Sequence, residues 1–473
     1  MTATKPINPI RKIPKKHENK INVVGPLHNK SNDPAVEERL KEILDLLYSF
    51  YDTEIDMSLE RVERFLQQLD NPHLKLPPVI HVAGTNGKGS TIAALRSLLE
   101  ASGKKVHICT SPHLVHPTER IRLAGQLIST QNLIAVLEEC LAINRNEPIT
   151  FFEMFMAASF LAMSRSPADY VILETGMGGR LDATNVIPDP ICTIITTISK
   201  DHEKFLGNNL KDIAFEKAGI IKTAVPCVIG YQTKDALEAG VMEVFHEKST
   251  SLPTDAALHR FGSEWGVTQT QDGFIYDAQG QNFSCPTPNL LGEHQIYNIG
   301  AAISAYRIIM GQDFDAKILS TDTPNNPLLT IYWPGRLQKL RDEPFRQHAL
   351  KTQEVWLDGG HNDSAGMMLA QQCKNWKRTE PRALHLIIAM VNRKNPAEFL
   401  EPLVPYVESI TVTKIESESS SYHEDELYNL VEPLGFKKLT KASNAQQALK
   451  NIKEPNVRIL LAGSLYFIGE ILT

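Results

Sequence analysis

The sequence predicts an α/β protein of two domains, the first built around a phosphate-binding glycine loop and the second smaller and Rossmann-like. Three observations carry that prediction. Within 78–99 a short β-branched run, Val79-Ile80-His81-Val82-Ala83, passes through Gly84-Thr85-Asn86-Gly87-Lys88-Gly89-Ser90 into a segment with apolar residues at Ile92, Leu95, Leu98 and Leu99. That is the grammar of strand, loop and helix. A chain of 473 residues exceeds what one hydrophobic core usually organises. Finally, beyond a Pro- and Asn-rich linker candidate at 321–327, buried-type strand runs alternate with helical periodicity, which implies a second α/β unit.

Composition narrows the class. An apolar content of 42% and a charged content of 22% are those of an ordinary globular enzyme. A net charge of -6 argues against a nucleic-acid binder but says little about a small anion in a local basic pocket. The six cysteines, Cys109, Cys140, Cys192, Cys227, Cys285 and Cys373, are dispersed with no C-x-x-C pair. Such usage fits a reducing cytoplasm better than a disulfide frame or a zinc site. No apolar run approaches the roughly 20 residues that span a bilayer, and no signal-peptide core follows Met1. A cytoplasmic monomer without membrane contact is expected. Residues 1–33, rich in Lys, Pro and Asn, read as a disordered basic tail, and a targeting segment is the sharper alternative. The expected domains are 34–332 and 333–473.

Each residue type in the loop has a physical task. The glycines let backbone N–H groups turn inward, where with the helix N-terminus they favour an anion. Lys88 can reach outer phosphates and the Ser90 hydroxyl can face a metal. The spacing departs from G-x-x-x-x-G-K-[ST], because Gly89 separates Lys88 from Ser90 and only two residues separate Gly84 from Gly87. An ordinary glycine-rich turn therefore competes with a nucleotide site.

Taken in order, helical periodicity over 34–69 breaks at Tyr51-Asp52-Thr53, and Asp56 and Ser58 read as caps before Leu59-Glu60-Arg61-Val62. A strand at 105–109 runs into Thr110-Ser111-Pro112-His113-Leu114, then Glu119-Arg120. Tyr170-Val171-Ile172-Leu173 ends in Glu174, and a run over 191–199 leads to Asp201-His202. Polar residues just past a strand lie at the carboxyl edge, where open α/β sheets bind ligands. Ser111 could equally be a turn serine, and an isolated Glu or His at a strand end is more often structural. Two such ends beside a phosphate loop favour Mg²⁺, which takes a few oxygen ligands plus substrate phosphates. His202 is the anomaly, since imidazole is not magnesium's preferred ligand. Core packing accounts for the aromatics of Thr150-Phe151-Phe152-Glu153, a turn for Asp182, a surface ion pair for Glu216-Lys217 and a helix cap for Asn298. Arg336, Asp358 and His361, taken singly, read as salt-bridge or turn residues. Thr-, Gln- and Gly-rich alternation makes 231–282 a small β region without assigned role. In the second domain, strands are expected at 355–358, 384–389, 410–413 and 459–462.

Several runs together carry a family resemblance. The G-T-N-G-K-G-S loop, T-S-P-H-L at 110–114, E-x-G-x-G-G-R-L-D-A-T-N at 174–185 followed by Asp201-His202, E-K-A-G-I at 216–220, L-x-G-x-H-Q-x-x-N-x-x-A at 290–301 and D-G-G-H-N at 358–362 resemble the Mur ligase superfamily. The branch they resemble is that of dihydrofolate synthase and folylpolyglutamate synthase, from about residue 55 to the C-terminus apart from 231–282. The resemblance implies a nucleotide held by Thr85, Asn86, Gly87, Lys88, Gly89 and Ser90, with Asn298 on the adenine side, Arg336 on phosphate, Asp358 on ribose and His361 near the transferring phosphate. It implies magnesium on Ser111, Glu174 and His202. It makes Lys217 a carbamate that supports the metal, which requires a neutral amine able to trap carbon dioxide. It also implies a pteroate pocket formed by Asp56, Met57, Ser58, Leu59, Thr150, Phe151, Phe152, Glu153, Leu181, Asp182 and Ala183. Lys88, Lys217 and His361 are the catalytic candidates.

The implied activity is ATP-dependent addition of L-glutamate to dihydropteroate and to tetrahydrofolates through an acyl phosphate, with closure of one domain on the other. Intact G-G-R-L-D-A-T-N resembles enzymes that accept dihydropteroate, so a bifunctional ligase is expected. A cell-wall Mur ligase would need a UDP-sugar domain ahead of the loop. An inactive nucleotide-binding scaffold would not need Lys88, Glu174, His202 and Lys217 together.

Overall fold

The computed structural model describes residues 28–49, 58–321 and 323–473. Eight strands form the first sheet: β1 (Val79–Ala83), β2 (Val106–Cys109), β3 (Ile121–Leu123), β4 (Gln126–Leu127), β5 (Tyr170–Glu174), β6 (Cys192–Ile195), β7 (Cys227–Ile229) and β8 (Leu258–Arg260). Their order is β4-β3-β2-β5-β1-β6-β7-β8. From β2 to β8 the pairings are parallel, and β3 and β4 add an antiparallel edge. Buried parallel strands need apolar residues on both faces, and all of β1 is buried. Because β1 sits between β5 and β6, its carboxyl end lies where chain crossovers part, the place where such sheets bind ligands.

Both faces are covered. On one, the Lys88–Ala101 helix buries Ile92, Ala93, Ala94, Leu95, Leu98 and Leu99 completely and packs with the Gln295–Met310 helix. Each such leucine or isoleucine contributes about 1.5–3 kcal/mol, so the phosphate loop opens a rigid element. On the other face lie helices Pro34–Ser49, Glu60–Gln68, Thr130–Asn144 and Phe151–Ser164. An antiparallel meander of β9 (Trp265–Gln269), β10 (Gly273–Ala278) and β11 (Gln281–Pro286) places Trp265, Phe274 and Tyr276 in the first of these cores.

The second sheet comprises β12 (Gln338–Lys339), β13 (Glu354–Asp358), β14 (Leu384–Ile388), β15 (Ser409–Val412), β16 (Leu439–Lys441) and β17 (Arg458–Ala462). Its order is β12-β13-β17-β14-β15-β16, parallel except at β12. The Rossmann-like second domain is thus observed, and each expected strand lies within a residue or two of its place.

Three expectations need correction. Residues 28–33 are not loose tail: the Asn29 N–H donates to Thr118 Oγ1 at 3.1 Å and the Ser31 N–H to Thr130 Oγ1 at 3.1 Å. The rest of the expected tail, 1–27, lies outside the described residues. The expected linker is packed from Asn326 onward. Asn326 caps the short Pro327–Thr330 helix, and Ser97 Oγ donates to Pro327 O at 2.8 Å. The expected small β region begins with helices, Lys234–Glu238 and Val241–Thr250, before β8 and the meander.

Candidate active site

A cavity of about 900 Å³ opens between the carboxyl edges of the two sheets, a size that suits a nucleotide with part of a second substrate. The loop after β1 forms its floor. Gly84 has φ +142°, and a Cβ there would sit 1.8 Å from Thr196 Oγ1. Gly87, at φ +91°, presses against the Asn298 side chain. Only glycine meets either condition. Lys88 is the first residue of its helix, and its Nζ donates to Gly84 O at 3.0 Å and Thr85 O at 3.3 Å, so the ammonium is folded over the loop it serves. The Thr85 hydroxyl donates to Ser199 O at 2.9 Å, tying the loop to the chain beyond β6.

Strand ends deliver the next groups. Glu174 closes β5, and its Oε2 accepts the Ser111 N–H at 3.1 Å. Burial pushes its carboxyl up from the usual range, against the opposing charge of Lys88. His202, in the left-handed region at φ 54°, follows β6 and lines the same cavity. Burial pushes its imidazole down to about 4, leaving a neutral ring able to offer a lone pair. Among the described residues no cluster of three or more His, Cys, Asp or Glu could hold an ion. A desolvated carboxylate, a neutral imidazole and the Ser111 hydroxyl nevertheless suit a cation whose other positions come from phosphate and water. Lys217 lies in the Leu210–Ala218 helix, 4% exposed, and burial together with Lys88 pushes its amine down to about 7.

The opposite wall is aromatic. Thr150 and Glu153 form a capping box that starts the Phe151–Ser164 helix. Phe151 stacks on Tyr48 with centroids 4.3 Å apart, and a Cβ on Gly176 would meet Phe152 at 2.4 Å. Glu153 also takes a two-pronged ion pair from Arg61 at 3.2 and 3.0 Å, which gives it a structural task inside the wall. Asp182 accepts from the Met177 N–H at 2.8 Å, the Thr184 N–H at 3.0 Å and the Thr184 hydroxyl at 2.5 Å, so it shapes the loop that carries Leu181 and Ala183. Asp182→Ala is expected to raise KM for a pteroate substrate more than KM for ATP, as initial rates at varied concentrations of each would read. Ser58 lines the cavity while accepting from the Glu60 N–H. Leu59 does not line it: its side chain packs into the helical core instead. Asp56 and Met57 lie outside the described residues.

Comparison with known proteins follows this division. Residues 82–306 match the model of the Mur ligase middle domain, and residues 341–473 that of the dihydrofolate synthetase C-terminal domain. The dihydrofolate synthetase of Saccharomyces cerevisiae is 31% identical over 435 residues, covering 88% of this chain and 97% of the yeast one. The chain belongs to the dihydrofolate synthase and folylpolyglutamate synthase family. The dihydrofolate synthase/folylpolyglutamate synthase of Bacillus subtilis is 30% identical over 424 residues, 87% of this chain and 94% of its own. The structure of E. coli FolC in complex with DHPP and ADP aligns with a TM-score of 0.78 at 27% identity, covering 91% of this chain and 96% of that one.

The second domain reaches into the cavity. Arg336, Asp358 and His361 all line it. Asp358 accepts from the Leu337 and Gly360 N–H groups at 2.9 and 2.8 Å, fixing the turns that carry Arg336 and His361. Two ties across the cleft join residues that no spacing pairs. Asp201 pairs with Lys394 and with His361, the latter at 3.3 Å. Burial opposes ionisation of Asp201, but His361, His202 and Lys394 together outweigh it and hold the carboxyl below its ordinary range. Asn86 and Asn362 exchange side-chain hydrogen bonds at 3.3 and 3.2 Å. Asn86, Asn362 and Asp201 each lie in a quoted run, whereas Lys394 lies in a polar stretch just past the strand expected at 384–389. No residue pattern pointed to Tyr48 or Tyr466, both of which line the cavity, while Gln295, inside the run at 290–301, lines it without having been given a role.

Proposed function

We propose that this protein joins L-glutamate to dihydropteroate, and to reduced folates, with ATP and Mg²⁺, through an acyl phosphate. The observation that carries the reading is one cavity holding the Lys88 loop, the Glu174–Ser111–His202 set and the Phe151–Phe152 wall. Amide formation from a free acid in water is uphill, so the acid must first be activated. Catalysis of phosphoryl transfer is mainly positioning and charge neutralisation. Lys88 and the loop N–H groups hold the phosphates, and Arg336 approaches them from the second domain as a bidentate partner. Glu174, His202 and the Ser111 hydroxyl would hold Mg²⁺, which when bound withdraws charge from the phosphoryl group. Lys217, as its carbamate, would lend a second anionic group to that side of the cavity. The aromatic wall receives the flat pterin, with the substrate carboxylate directed toward the loop. His361, held by Asp201, stands on the second-domain side where the amine enters. The Asp201–Lys394 and Asn86–Asn362 ties close the cleft and exclude water.

The deciding assay is glutamate-dependent release of ADP with dihydropteroate, a tetrahydrofolate or a UDP-muramyl acid as acceptor. Turnover on dihydropteroate supports the first activity, and turnover on tetrahydrofolate supports the second. No turnover on either overturns the assignment, and activity on the UDP-muramyl acid alone would make the protein a cell-wall ligase.

A further inference from the structure

Arg120 is a buried cation in search of an anion. It immediately precedes β3, is 8% exposed and lines the cavity. Its Nε donates to His113 Nδ1 at 2.8 Å, and the guanidinium lies 5.5 and 5.2 Å from the ring centroids of Phe151 and Phe155. Its neighbour Glu119 spends its carboxylate on the N–H groups of Leu114, Val115 and His116. Among the described residues no carboxylate forms an ion pair with Arg120, and its two Nη groups have no hydrogen-bond acceptor. A guanidinium does not shed its proton to escape burial, and an isolated buried charge is costly. The fork is therefore poised for a carboxylate brought by a ligand.

Position decides which carboxylate. The one that receives the phosphoryl group must reach the loop end of the cavity, where Lys88, Glu174 and Arg336 sit. Arg120 sits elsewhere, on the seam between the Phe151–Phe155 wall and Tyr466, in the first turn of the Leu465–Leu472 helix of the second domain. With dihydropteroate as the acceptor, which has a single carboxylate, the remaining carboxylates in the reaction belong to the amino acid. We propose that Arg120 binds a carboxylate of the incoming glutamate through its Nη fork and so selects a dicarboxylic amine over neutral ones. The inference rests on the ligase reading above and names a binding residue of that site.

The test is steady-state kinetics of Arg120→Gln and Arg120→Lys with glutamate, glutamine and isoglutamine as competing amines. Arg120→Gln should raise KM for glutamate by about 10- to 100-fold, the range for one charge-assisted bidentate contact, with KM for dihydropteroate unchanged. The preference for glutamate over one of the two amides should collapse, and that amide identifies the carboxylate held. Arg120→Lys keeps the charge without the fork and should fall between. A rise in KM for dihydropteroate with that for glutamate unchanged overturns the proposal, because loss of support behind Phe151 and Phe155 would do just that. Full retention of preference over both amides overturns it too. Should the glutamine variant fail to give a native circular dichroism spectrum, the lysine variant carries the same comparison. Failure of the unaltered enzyme to use any pteroate would instead defeat the ligase reading.

Discussion

Lys88→Ala is expected to remove turnover while leaving the fold in place. Among the described residues the Lys88 ammonium hydrogen-bonds to loop carbonyls alone, Gly84 O and Thr85 O, and the helix it opens is held by Ile92, Leu95, Leu98 and Leu99, which do not involve it. A preorganised cation at a transferring phosphoryl group is worth about a hundred- to a thousand-fold or more in rate. An unchanged melting temperature with kcat lowered by that order would bear out the division between scaffold and chemistry. A variant with undiminished kcat would remove Lys88 from the reaction.

The second large effect concerns Lys217, which is expected to be a stability burden that activity requires. Its folded amine titrates near 7 against 10.5 when exposed, through burial first and the Lys88 charge second. Between those values the unfolded chain binds more protons than the folded one, so stability rises with pH across that window. Below about 7 the penalty is fully present, and by about 10.5 it has gone. Lys217→Met, of similar length and without charge, should therefore raise the melting temperature of the nucleotide-free protein at neutral pH, and raise it less at pH 10. The same substitution should depress turnover strongly, because a neutral amine is what traps carbon dioxide and methionine offers none. Labelled bicarbonate should give a carbamate carbon signal in the unaltered protein and none in the variant. A melting temperature that falls on substitution would mean that Lys217 is paired and charged, and that the carbamate is not needed to explain its burial.

How far the sequence disclosed this arrangement depended on range. The strand 170–174 could be read end to end because a fully buried strand is a continuous apolar run and Glu174 breaks it at the ligand edge. The loop was equally plain, since its glycines answer local demands: φ +91° at Gly87 and the close approach of Thr196 to Gly84. Ser58 and Leu59 were harder, because a cap, a core leucine and a pocket residue share the same local pattern. Only packing separates Leu59, in the helical core, from Ser58, at the cavity. The helices at 234–250 escaped notice because polar residues obscure their buried positions, Ala236, Val241, Phe245 and Ser249. Contacts between distant residues left no periodic trace at all. Asp201 and Lys394 are 193 residues apart, and neither Arg120 against Phe151 nor Tyr48 against Phe151 follows from spacing.

The two ties across the cleft rise from the machinery itself, Asn86 from the phosphate loop and Asp201 from the residue beside His202. Shutting the door and setting the bolt are consequently one movement. On the ligase reading proposed above, newly joined product and spent nucleotide leave once both have been undone, so each catalytic cycle would dismantle its own reaction chamber. Evolution could not strengthen that grip indefinitely without trapping what the enzyme has made.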